Sequence, residues 1–178
     1  MRITWLPLLF AVAACRAEPP KRTPDATPSW RTGTLSDTGF GPVVVGMSPL
    51  EAQAAAGGML TIPDVPTAEG CAYASAVGLE GLAFMIENGR VVRIEARAGG
   101  IRTADGAAVG DTEARIQALY AGHVELLPHK YTEGHYLMVT PRNVAIGAVQ
   151  LIFETDGHVV TQFRGGLLPQ VAYVERCG

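Results

Sequence analysis

The chain has 178 residues, of which 48% are hydrophobic and 17% charged, and its formal net charge is −3. That supplies enough apolar surface for one modest core and excludes a globally disordered chain. Nucleic-acid affinity rests mainly on phosphate neutralisation by Lys and Arg, so the acidic balance excludes that class of partner.

Residues 1–14 place one charge, Arg2, ahead of a short apolar stretch that ends in small residues. The pattern predicts an export signal, and the stretch is too short to span a bilayer. Val12-Ala13-Ala14-Cys15 resembles the lipobox of bacterial lipoproteins, whose Cys receives a diacylglycerol thioether. The resemblance implies a lipid-modified Cys15 and a membrane-anchored chain, each buried methylene adding about 0.8 kcal/mol. Arg16 stands where such lipoproteins carry Asp for inner-membrane retention, which implies the outer membrane wherever two membranes exist.

Downstream, Pro19, Pro20, Pro24 and Pro28 alternate with polar residues, so residues 15–38 read as the lipidated Cys and a flexible tether. The folded domain is expected over 39–178, with Gly39-Phe40-Gly41 as a turn before a strand at Val43–Val45. With Cys15 acylated, Cys71 and Cys177 remain as an even pair, for which an oxidising compartment predicts a disulfide. Such a bond closes a loop of roughly a hundred residues, worth about 4–5 kcal/mol in the chain-entropy model, and pins the C-terminus. A nucleophilic Cys71 is the alternative, but no recognisable His–Asn or His–Asp pattern accompanies it.

Two stretches begin alike. Val45-Gly46-Met47-Ser48 leads into an Ala-rich helix through the capping box Ser48-Pro49-Leu50-Glu51, and Val109-Gly110-Asp111-Thr112 leads into another. Gly57-Gly58 and Gly122 close the two helices. Each is followed by a hairpin, Leu82–Glu87 returning through Arg90–Ile94 about Asn88-Gly89, and Val149–Thr155 returning through His158–Phe163 about Asp156-Gly157. Further strands are expected at Cys71–Val77, His135–Thr140 and Val171–Glu175. The fold class is therefore α+β: an antiparallel sheet with two short helices, built from two tandem helix-hairpin repeats over about 42–98 and 105–165. The Val-Gly-Met-Ser-x-x-Glu-Ala motif followed by a hairpin resembles the small outer-membrane assembly lipoproteins, and the tandem form resembles the β-lactamase-inhibitor-protein fold. The resemblance implies a fold and a habit of binding proteins.

Searches for catalytic and cofactor motifs find none, so no catalytic residue and no cofactor is assigned. Metal-ligand chemistry has one candidate set, His129, Glu133 and His135, within a segment that also reads as a loop running into a strand. A two-residue turn sets Glu87 opposite Arg90 and places Leu82, Phe84, Ile86 and Arg93 on one face of the first hairpin, with Ile152 and Phe163 on the matching face of the second. Apolar residues mixed with Arg suit a partner surface; alternatively, the face packs under the tether or the C-terminal segment. The expected function is a non-enzymatic lipoprotein of the cell envelope, facing the periplasm and binding or inhibiting another protein. The alternatives are a hydrolase or metal-binding enzyme centred on His129, Glu133 and His135, and a purely structural envelope component.

Overall fold

The computed structural model describes, apart from Met1, residues 29–63, 70–140 and 148–177. The leader, Cys15 and most of the expected tether lie outside the described residues. Within them the elements run β1 (Gly39–Phe40), β2 (Val43–Val44), α1 (Pro49–Ala55), β3 (Leu60–Thr61), β4 (Cys71–Ala76), β5 (Leu82–Glu87), β6 (Arg90–Ala96), α2 (Glu113–Leu119), β7 (Val124–Pro128), β8 (His135–Val139), β9 (Val149–Thr155) and β10 (Val160–Leu167). β1 and β2 form a small ribbon. The other strands make one antiparallel sheet in the order β3-β4-β5-β6-β10-β9-β8-β7.

Local chemistry explains the helix starts and the first turn. Ser48 accepts from the Glu51 amide while the Glu51 carboxylate accepts from the Ser48 amide, so two amides without intrahelical partners are satisfied and Pro49 lacks a third. Thr112 caps α2 through the Arg115 amide at 3.2 Å. Asn88 and Gly89 both have positive φ, 50° and 68°, as a two-residue hairpin loop requires. The Asp156-Gly157 turn differs from expectation. Thr155 pairs with Val160, and the Asp156 carboxylate closes the longer loop by accepting from the His158 and Val159 amides, each at 2.9 Å.

The stretches before the helices are tied to the sheet in the same way. Gly46 donates to the Val91 carbonyl at 2.7 Å, and the Val91 amide donates to Met47 at 2.8 Å. Gly110 donates to the Val160 carbonyl at 2.9 Å, and the Val160 amide donates to Asp111 at 2.9 Å. Gly46 and Gly110 have φ of 91° and 92°, a left-handed conformation that favours glycine.

The main core lies between one sheet face, the two helices and the segment before β1. Phe84, Ile86, Val91, Ile94, Leu137, Phe153 and Phe163 come from the sheet, Ala52 and Ile116 from the helices. Trp30 and Leu35 join them, which moves the start of the folded unit upstream of the expected 39. Trp30 stacks on Phe84 at 5.8 Å and meets Phe40 edge-on at 5.6 Å. The main chain at Ser36 passes directly over β10, where a Cβ on Gly165 would sit 1.8 Å from the Ser36 carbonyl oxygen. Proline-rich flanks make this segment look like linker, but two large apolar side chains dock it.

Candidate functional site

Both hairpins carry a bulge, and the bulges decide which side chains share a face. In the first, Ile86 pairs with Val91 but Met85 pairs with Arg93, so Ile94 joins Phe84 on the core side while Arg93 and Glu95 turn to the other. In the second, Val160 pairs with Thr155 but Gln162 pairs with Glu154, which sends Phe163 to the core and Arg164 away from it. One extra residue reverses every later side chain in the strand.

The expected partner surface is corrected accordingly. Leu82, Phe84, Ile86, Arg93, Ile152 and Phe163 are between 0% and 3% exposed, so none of them forms an open surface. Leu82, Phe84, Ile86 and Phe163 belong to the main core. Arg93 and Ile152 lie on the second face, under the C-terminal segment, so the packing alternative describes them.

That segment differs from the expected strand at Val171–Glu175. It makes a 3-10 turn at Gln170–Ala172 and runs as a strap over β6, β10 and β9. Its carbonyls need no ladder because two arginines satisfy them. Arg93 donates through Nη1 to the Gln170 carbonyl at 3.3 Å and the Tyr173 carbonyl at 2.7 Å; Arg164 donates through Nε to the Val171 carbonyl at 2.8 Å. Val171 is buried against Tyr136 and Ile152, and the Gln170 side chain donates through Nε2 to the Glu87 carboxylate at 2.6 Å. Cys177, at the far end, is joined to Cys71 with the two Cα atoms 5.3 Å apart.

Beneath the strap lies a network of buried charge. Arg93 reaches Glu95 at 3.1 Å, with both side chains 1% exposed, and Arg97 and Arg176 approach the same carboxylate at 2.8 Å and 3.5 Å. Arg164 meets Glu154 at 2.7 Å, and the other Glu154 oxygen takes His129 Nε2 at 2.9 Å. The Tyr131 and Thr132 amides both point at His129 Nδ1, which places the ring proton on Nε2, donating to Glu154. Burial pushes the Glu154 carboxyl up, but His129 and Arg164 outweigh it and hold the group below the usual range. For Glu95, burial is likewise outweighed by Arg93, Arg97 and Arg176. The Tyr73 hydroxyl goes the other way, pushed up to about 12 by burial and then by Glu95.

The suggested metal set does not converge. His129 faces Glu154, whereas His135 Nδ1 meets Glu113 at 2.8 Å on the opposite side of the sheet. Glu154 and Thr155 are consecutive strand residues, and the Thr155 hydroxyl also donates to Glu113, so the two histidines are held on alternate faces. Glu133 is exposed. Among the described residues no group of three or more His, Cys, Asp or Glu side chains is placed to hold a metal ion. His129 and His135 thus stand in two separate His–Glu pairs and do not meet Glu133 in one site.

The rim of the strap is where side chains open to solvent. Tyr131 is 58% exposed and Tyr173 41%, and the Tyr131 hydroxyl donates to Glu175. Lys130 stands over the Tyr131 ring, and Arg176 over Tyr73 at 4.7 Å. Lys130, Tyr173, Glu175 and Arg176 line an open cleft of about 480 Å³. Glu154 and Arg164, which organise the network, carry no sequence flag beyond being charges in the middle of strands otherwise rich in apolar residues. No protein family, curated protein or solved structure matches this chain.

Proposed function

We propose that this protein is a non-enzymatic lipoprotein of the cell envelope, anchored through Cys15, that binds or inhibits another protein through the rim of its C-terminal strap. The observation that carries the reading is the strap itself, an irregular segment fixed by a disulfide and by buried arginines, with Tyr131, Tyr173 and Arg176 at its edge. Tyr and Arg dominate binding energy at protein interfaces, and a segment held in one conformation loses little entropy when it docks. The Cys71–Cys177 pairing supports an oxidising compartment and leaves Cys15 as the unpaired cysteine.

We further propose that the domain is two tandem copies of one unit, helix then four strands, a duplication that resembles the β-lactamase-inhibitor-protein fold. Three repeated features support this. The sheet order runs outward from the central β6–β10 pair in the same sequence on both sides. The glycine-to-valine hydrogen bonds before the helices recur. So does the hairpin bulge.

Crosslinking in intact cells, followed by mass spectrometry, tests the function. A Tyr131→Ala/Tyr173→Ala variant is expected to fold normally and lose its crosslinked partner, and unchanged crosslinking rejects the rim as the surface. Cys15→Ala is expected to remove the acyl mass and release the protein from membranes; a processed, soluble wild-type chain rejects the anchor.

A further inference from the structure

The strap sits on the sheet as a ligand sits in a site. Three of its main-chain carbonyls, from Gln170, Val171 and Tyr173, accept from Arg93 and Arg164, both at most 2% exposed. Carbonyls are common to every polypeptide, so this recognition is indifferent to sequence. Side chains are read at Val171 in the socket of Tyr136 and Ile152, at Gln170 by Glu87, and at the rim, where Glu175 meets Tyr131 and Arg176 meets Glu95. Such a face fits a segment that can take the same short turn and offer an apolar residue between carbonyls aimed at the two arginines.

What reserves the face for residues 168–177 is attachment at both ends. β10 delivers the strap at Leu167, and the Cys71–Cys177 bond holds its other end. A competing segment must lift a chain that has no loose end, at an effective concentration set by the tether. Both cysteines are partly exposed, and Cys71 is the first residue of β4, beyond the reach of β3, which pairs only with Ser75 and Ala76. A small thiol therefore has access to the bond.

We infer that the face under the strap is a polypeptide-binding site occupied by the chain's own C-terminal segment, and that opening Cys71–Cys177 by a dithiol makes it available to a segment of another protein that takes the same turn. The inference rests on the reading of the protein as a protein-binding module. In the opening step a thiolate of the dithiol attacks one sulfur, forming a mixed disulfide and freeing one cysteine thiol. The second thiol of the dithiol then displaces the other cysteine. Two electrons pass to the bond, both cysteines end as thiols and the dithiol ends as its own disulfide.

The test uses the full chain and a labelled synthetic peptide with the sequence of residues 168–176. Binding is followed by fluorescence anisotropy for the oxidised chain, the chain reduced with dithiothreitol, and the reduced Val171→Asp variant, whose own strap cannot fill the socket. Affinity is expected to rise at least tenfold at each step, and a peptide carrying Asp at the Val171 position is expected not to bind. Hydrogen exchange should show strap amides losing protection on reduction while β4–β6 and β8–β10 keep theirs. A reduced Val171→Asp chain that binds no better than the oxidised chain overturns the inference, and so does loss of protection across the whole sheet on reduction. Cys71→Ser/Cys177→Ser repeats the test without reductant. Partner capture by the oxidised chain through Tyr131 and Tyr173 is a separate readout: if it persists while the peptide fails to bind, the module reading stands without this site.

Discussion

Arg164 and Glu95 are directly opposed on β10 and β6, yet each forms its ion pair elsewhere: Arg164 with Glu154 at 2.7 Å and Glu95 with Arg93 at 3.1 Å. Three buried charges, Arg93, Glu95 and Arg164, and the partly buried Glu154 thus form two neighbouring pairs, and the strap sits on the arginines of both. Removing one member of such a pair strands the other without a counter-charge in a poorly solvated site.

Arg164→Met is accordingly expected to cost about 3–5 kcal/mol, since it leaves Glu154 with His129 alone and orphans the Val171 carbonyl. Arg97→Ala removes a partner whose side chain is 34% exposed and is expected to cost less than about 1 kcal/mol. Urea denaturation of the two variants checks the contrast. Equal, small losses would show that the network is not energetically coupled to the fold.

Acid should destabilise the protein through the same groups. Glu154, Glu95 and Glu113 all have folded-state values held below the ordinary 4.5. A depressed carboxyl contributes stability that is present above its unfolded value and is lost as pH falls through its folded value. Melting temperature is therefore expected to be flat from neutral pH to about 5 and to drop progressively below about 4.5. Glu154→Gln should make that drop shallower, and an identical acid limb in the variant would remove Glu154 from the explanation.

Trp30→Ala is expected to cost about 3–5 kcal/mol, as for a large aromatic side chain lost from a core, and thermal denaturation measures it. Phe84→Glu is expected to prevent folding altogether, because Phe84 is fully buried beneath Trp30. A Trp30→Ala chain with wild-type stability would return residues 30–38 to the tether.

Reduction of Cys71–Cys177, which spans a sequence separation of 106, is expected to lower stability by about 4–5 kcal/mol at most. A single cooperative transition at lower temperature should remain. Scanning calorimetry with and without dithiothreitol checks both statements.

Short-range chemistry was legible in the sequence: Ser48 and Glu51 announce a helix start, and Asn88-Gly89 announces a hairpin, because each is a local backbone requirement. The face assignments were not, since a bulge leaves no residue signature and a single inserted position exchanges Ile94 with Arg93 and Phe163 with Arg164. β7 is poorly marked in the sequence because its side chains are mostly exposed and lack clean alternation. The strap reads as a strand at Val171–Glu175 because Val171, Tyr173 and Val174 are β-formers, while the groups that hold it, Arg93 and Arg164, are remote in sequence. Trp30 and Leu35 were hidden by their proline-rich neighbours.

The passage of Ser36 over Gly165 sets the order in which the molecule can be completed. The main chain at Ser36, near the beginning of the domain, crosses the last strand, and β6 likewise pairs with β10. Contacts of such long sequence separation are slow to form. Nothing made before β10 can close the middle of the sheet, so the join between its two halves waits for the last strand.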